Sequence, residues 1–145
     1  MHVVRPAAAH DAAEIARLLT TLGHPTSAVD VAARWGAWSA VGDSALVAEA
    51  PNGSLAGLVT LHRMLVLHRP RPVGRITALV VDPSVRGQGI GRALVEAAEA
   101  ALRAAGCGLL EITSHVRLVE AHAFYERLGY QRTSVRLAKV LVSER

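Results

Sequence analysis

A single cysteine, Cys107, in 145 residues leaves no internal disulfide and fits a reducing cytoplasm. Aromatic residues make up 3 % of the chain, too few for a base-stacking surface. The net charge of +4 comes largely from scattered arginines with no dense basic run, so nucleic acid is not an expected partner. A basic pocket for a small polyanion is the better use of that charge. No apolar run is long enough to span a bilayer and no charged-then-apolar signal opens the chain, so no membrane role is expected. Met1 to Pro6 reads as a first strand rather than a leader. His62, His68, His115 and His122 lack a zinc spacing, and no metal site is expected. Repeats, low-complexity tracts and linkers are also missing, which leaves a single domain over residues 1–145.

The patterns that are present describe a mixed α/β sheet. After the first strand, Asp11 and Glu14 have the spacing of a capping box. Ile15, Leu18, Leu19 and Leu22 then recur at helical spacing up to Gly23. A second helix is expected over residues 27–40, carrying Trp35 and Trp38, whose spacing suits core packing better than a pocket. Pro51-Asn52-Gly53-Ser54 between two apolar runs predicts a hairpin of strands 44–50 and 55–67. The prolines of residues 68–72 make a loop. A buried strand follows over residues 74–81. Ile90, Leu94, Ala98 and Leu102 mark one face of a long helix ending near Gly106. Residues 107–113 read as a strand, 119–128 as a helix closed by Gly129, and 130–142 as the last strands.

The chemistry concentrates between the buried strand and the long helix, in Val81-Asp82-Pro83-Ser84-Val85-Arg86-Gly87-Gln88-Gly89-Ile90-Gly91-Arg92. Three glycines let the backbone approach a ligand, the first amides of a helix are free, and Arg86 and Arg92 add positive charge, so the segment suits phosphate oxygens. It is not a Walker loop, because Gly91 is followed by Arg92 and Ala93. Nor is it the dinucleotide fingerprint, because Gly87, Gly89 and Gly91 are spaced two apart.

Arg86-Gly87-Gln88-Gly89-Ile90-Gly91 resembles the Q/R-x-x-G-x-G/A signature of the GCN5-related N-acetyltransferase (GNAT) family. The order of elements is similar along nearly the whole chain, and Ala121 to Tyr130 looks like the family's last helix and the strand after it. From Gly57 onward the chain is most similar to the aminoalkylphosphonate N-acetyltransferase branch, through Leu61-His62, His68, Leu79-Val80-Val81 and Ala121-His122…Phe124-Tyr125. The resemblance implies a GNAT-like mixed central sheet, mostly antiparallel, with splayed middle strands and helices on both faces.

It further implies acetyl-CoA as co-substrate. Arg86, Gly87, Gln88, Gly89, Ile90, Gly91 and Arg92 would hold the pyrophosphate, and Leu79, Val80 and Val81 would lie along the pantetheine arm. A primary amine would attack the thioester near Glu111 to Thr113, a backbone amide near Val81 would stabilise the oxyanion, and Tyr125 would protonate the departing thiolate. Two positions depart from the family pattern. Leu118 stands where many members carry an asparagine, and Thr77 and Ala78 occupy the stretch where many carry a glutamate base.

The base is therefore sought elsewhere. His62 could accept the ammonium proton, or could be a strand histidine bonded to a backbone carbonyl. Glu111 could be a base or half of an ion pair. The expected acceptor is a small-molecule amine, with an anionic group that Arg63, Arg69 or Arg71 could hold. A protein N-terminus or lysine, or a binding module that keeps acetyl-CoA without turnover, are the alternatives. A homodimer is admitted but not required.

Overall fold

The computed structural model describes residues 1–144. They divide into two units, Met1–Ile112 and the remainder from Thr113.

The first unit contains β1 (Val3–Pro6), α1 (Ala12–Leu22), α2 (Ala28–Ala40), β2 (Ser44–Glu49), β3 (Leu55–Met64), β4 (Val73–Val81), α3 (Ile90–Ala104) and β5 (Leu109–Ile112). The strands form one sheet in the order β1-β2-β3-β4-β5, antiparallel throughout except for the parallel β4–β5 pair. Parallel pairing needs a long crossover, and α3 supplies it.

Helices cover both faces. Ile90, Leu94, Ala98 and Leu102 of α3 are all buried, as their spacing predicts. They reach one face of the sheet at Gly57 and Gly74, where an added Cβ would lie 2.8 Å from Leu94 and 2.7 Å from Leu102. On the other face Ile15, Leu18 and Val31 of α1 and α2 pack with Leu58 and Val80, and Trp35 and Trp38 lie against that cluster. Burial of large aliphatic side chains at about 1.5–3 kcal/mol each makes these layers the main source of stability.

The hairpin forms as expected. Ala50 donates to the Ser54 carbonyl, and the Asn52 side chain accepts from the Ser54 amide. The capping box at Asp11 and Glu14 does not form. Asp11 takes both guanidinium nitrogens of Arg5 at 2.9 and 2.8 Å, and Glu14 binds Arg17 and the Leu55 amide. Each carboxylate is taken up by an arginine and by an amide outside the first turn of α1, Ala8 for Asp11 and Leu55 for Glu14. The box is found one helix later, where Ser27 and Asp30 exchange bonds of 3.0 Å.

The second unit holds α4 (Val119–Arg127), closed at Gly129 with φ +95°. The strands expected over residues 130–142 are not formed. Val135, Leu137, Val140, Leu141 and Val142 stand largely exposed. Apolar spacing describes the faces of a strand but supplies no neighbouring edge, and without a ladder the segment stays irregular. Among the described residues no helix is long and apolar enough to cross a membrane.

Candidate active site

Strand β4 carries an extra residue in its middle. Thr60 of β3 faces Ala78, and the next residue, Leu61, faces Ile76, so Thr77 is a bulge. The Thr60 and Thr77 hydroxyls are 2.7 Å apart. The β4–β5 ladder also stops here, with Ile76 opposite Ile112. Beyond it Asp82 donates to the Ala56 carbonyl on β3 at 2.7 Å. Alternation along an antiparallel strand then turns the backbone groups of Leu79 and Val81 to the opposite edge, where among the described residues no strand pairs with them. That edge opens where the pairing of β4 with the edge strand β5 ends.

The open edge leads into the glycine turn. Asp82 begins it, its carboxylate accepting from the backbone and hydroxyl of Ser84 and from Arg17 of α1 at 2.6 Å. The Ser84 amide, then its hydroxyl, then Arg17 push the Asp82 pKa down to about 2. Gly87 and Gly89 have φ of +81° and +79°, a region costly for any residue with a Cβ. The first bond of α3 runs from the Ala93 amide to the Gly89 carbonyl, so the amides of Ile90, Gly91 and Arg92 have no partner within the helix. This donor set, at the positive end of a 15-residue helix with Arg86 alongside, fits phosphate oxygens. Arg92 itself pairs with Glu96 at 2.7 Å. An open cavity of about 320 Å³ borders the turn, lined by Gln88, Gly89, Ile90 and Ala93 together with His2, Val4 and Ala48, and includes no residue of β4.

Below the bulge the sheet register assembles a row of ionisable side chains on the face covered by α1 and α2. His62 faces Arg75 and Arg75 faces Glu111. Since Ser44 pairs with Leu61, the next position outward sets Asp43 opposite His62. The side chains meet along the row: His62 Nδ1 to Asp43 Oδ1 at 2.6 Å, and Arg75 to Glu111 at 3.0 Å. Glu111 thus forms the ion pair that was one of its two readings. His62 bonds a carboxylate, not the backbone carbonyl of its structural reading. The Arg75 Nε is buried without an acceptor, so Glu111 only partly satisfies that guanidinium. Arg63 is on the opposite face, donating to the Ala105 carbonyl at 3.0 Å, and is therefore not part of the row. Arg71 lays its stem near Gly108.

In the second unit Tyr125 sits on α4, its ring 5.3 Å from Phe124 and 6.0 Å from Tyr130 between centroids. Burial pushes its phenol pKa up, away from neutrality. Leu118 precedes the helix and offers no side-chain cap. His122 contacts the His115 carbonyl at 2.9 Å, and among the described residues no three metal-ligating side chains stand together.

Sequence reasoning missed Asp43 and Arg75. Neither belongs to a motif, and the registers of β2, β3 and β4 bring them to His62.

A sequence model of the Acetyltransferase (GNAT) family matches residues 9–130. Aminoalkylphosphonate N-acetyltransferase of Salmonella typhimurium is 40% identical over 90 residues, 62% of this chain and 58% of that protein. Aminoglycoside N(6')-acetyltransferase type 1 of Stenotrophomonas maltophilia is 42% identical over 62 residues, 43% of this chain and 40% of that protein. Each match spans less than two thirds of the relative's own length. Among solved structures, an acetyltransferase of Trypanosoma brucei superposes with a TM-score of 0.85 at 28% identity, covering 97% of this chain and 100% of that one.

Proposed function

The chain belongs to the acetyltransferase (GNAT) family, and from that premise we propose that residues 1–145 act as one cytoplasmic N-acetyltransferase domain. It moves the acetyl group of acetyl-CoA to the primary amine of a small molecule bearing an anionic group. The observation that carries this reading is the open edge of β4 running into the glycine turn. An extended amide-containing arm bonds to Leu79 and Val81 as an added strand would, with Val80 between them. The amides of Ile90, Gly91 and Arg92, with Arg86, Gly87, Gln88 and Gly89 shaping the turn, take phosphate oxygens.

The remaining roles follow from the chemistry each group can perform. His62 takes a proton from the acceptor ammonium, which must lose one before its nitrogen lone pair is available. The Val81 amide faces the open edge and can donate to a developing oxyanion. Tyr125 holds a proton for the leaving thiolate. Arg75, the guanidinium of the row, is the cation placed to meet an anionic group on the acceptor. The Salmonella relative's name points to the same substrate class.

A panel of aminoalkylphosphonates, neutral short amines, aminoglycosides and peptides, read by free-thiol release, tests the reading. Small amines with an anionic group should give the highest kcat/KM, falling as salt rises. Best turnover on peptides would overturn the acceptor class, and no turnover on any amine would overturn the enzyme. Tyr125→Phe on the best substrate should lower kcat about 10- to 10³-fold with acetyl-CoA affinity within a few-fold, since the proton matters only as the thiolate forms. A fall in melting temperature alone would make Tyr125 structural.

A further inference from the structure

We infer that Asp43 is a positioning residue that fixes the tautomer of His62, so that Nε2 is the nitrogen free to accept the acceptor's proton; this rests on the acetyl-transfer reading above. A carboxylate can only accept a hydrogen bond, so the 2.6 Å contact places the ring proton on His62 Nδ1. The lone pair is then on Nε2. The two side chains are held differently: Asp43 is 15 % exposed and His62 35 %, so the carboxylate is enclosed while part of the imidazole still reaches solvent. Both stand one position beyond the end of the β2–β3 ladder, which continues without interruption from Ser44–Leu61 to Ala48–Gly57 and brings their backbones side by side.

On its other side His62 faces Arg75 across the β3–β4 register. The Asp43 carboxylate is the hydrogen-bond partner the ring keeps at Nδ1. In the step itself an ammonium N–H bond breaks and a His62 Nε2–H bond forms. The nitrogen keeps the electron pair for attack, while the Nδ1 proton stays on the ring, hydrogen-bonded to Asp43. The proton on Nε2 then passes to water.

The test combines a spectroscopic and a kinetic readout. Long-range proton–nitrogen NMR of the neutral ring should show His62 protonated at Nδ1 in the parent. In Asp43→Ala it should revert toward the Nε2-protonated form. In steady-state assays Asp43→Ala should lower kcat by about 10-fold while KM for acetyl-CoA stays within about two-fold. Combined with His62→Gln it should cost nothing more, because a residue that acts only through His62 has no effect once the imidazole is gone. Asp43→Asn keeps the volume and should show the same coupling if the alanine variant folds poorly. An unchanged tautomer, or losses that multiply in the double variant, would overturn the inference while leaving the acetyltransferase intact. A parent that acetylates no amine overturns the functional reading first, and the inference falls with it.

Discussion

Strand β4 changes character at Thr77. From Val73 to Ile76 it is paired on both edges, to β3 and to β5. From Ala78 to Val81 it keeps β3 and has no strand partner on the other side among the described residues. The upper half therefore offers a ligand its backbone, and the turn that follows offers more backbone in the amides of Ile90, Gly91 and Arg92. The lower half has no free backbone to offer and works through side chains, Arg75 with His62 on one flank and Glu111 on the other. On the proposed function, one extra residue at the bulge divides a general handle for the acyl donor from a specific one for the acceptor. Variants in each half should consequently fail in different ways.

The largest effect is expected at the backbone end. Gly89 adopts φ +79° with open space beside its Cα, so a β-branched side chain is strained and lies between the amides and an incoming phosphate. Gly89→Val should weaken acetyl-CoA binding by about 2–4 kcal/mol of lost charge-assisted hydrogen bonds. Calorimetry on the variant, with circular dichroism to confirm the fold, measures it. The ring tautomer of His62 should not move. Unchanged affinity would remove the turn from the site, and a moved tautomer would mean that the halves are not independent.

At the side-chain end the expectation is reversed. His62→Gln should lower the rate about 10²-fold at neutral pH, the range of general base catalysis, with acetyl-CoA affinity unchanged. The loss should shrink at high pH, because the amine then arrives already deprotonated. A loss that is the same at every pH would return His62 to a structural role. A loss of acetyl-CoA affinity would erase the distinction between the two ends of β4.

The same division explains what could be read from the sequence. The upper half announces itself because binding by backbone demands the absence of side chains, and three glycines between a buried strand and a helix are visible in one dimension. The faces of α1 and α3 were legible for a similar reason, since Ile90, Leu94, Ala98 and Leu102 lie close in the chain and share one stripe. The lower half draws Asp43, His62, Arg75 and Glu111 from four strands, and no local pattern links them. Part of it was nevertheless available. Counting outward from Ala50 opposite Leu55 across the Asn52-Gly53 turn sets Asp43 opposite His62, and the later shift between Ala48 and Glu49 leaves that pairing in place. Arg75 was not available, because the Thr77 bulge changes which residues of β4 face the row. The expected strands over residues 130–142 failed for a different reason: the spacing of Val135, Leu137 and Val140 is a property of the segment, whereas a strand is a property of a pair. Glu14 and Asp11 went to Arg17 and Arg5, partners that local capping rules do not include.

The smallest effect is expected where the two halves join the rest of the fold, at Asp82. This residue ends β4 and starts the turn, and its carboxylate gathers the Ser84 amide, the Ser84 hydroxyl and Arg17. Its pKa is pushed down to about 2, first by the Ser84 backbone bond. Glu14 is lowered chiefly by Arg17, and Asp11 chiefly by Arg5. A carboxylate whose pKa is lower in the folded chain than its unfolded value of about 4 binds its proton more readily when unfolded. Its contribution to stability is then complete above about pH 4 and is lost as pH falls through the folded value, about 2 for Asp82. Thermal melts of the parent should therefore be flat near neutrality and fall steeply between about pH 4 and pH 2. Asp82→Ala removes one of the three carboxylates and the cap of the short turn at Pro83–Val85, so it should cost about 1 kcal/mol at pH 7. The variant's melting temperature should also fall less than the parent's across the acid window. Acetyl-CoA affinity should drop by less than in Gly89→Val, because the amides of the turn remain and only their anchor loosens. A parallel pH slope in parent and variant would show that Asp82 is not among the groups linking the turn to α1. An affinity loss as large as that of Gly89→Val would make the carboxylate, and not the glycine backbone, the element that holds the turn in shape.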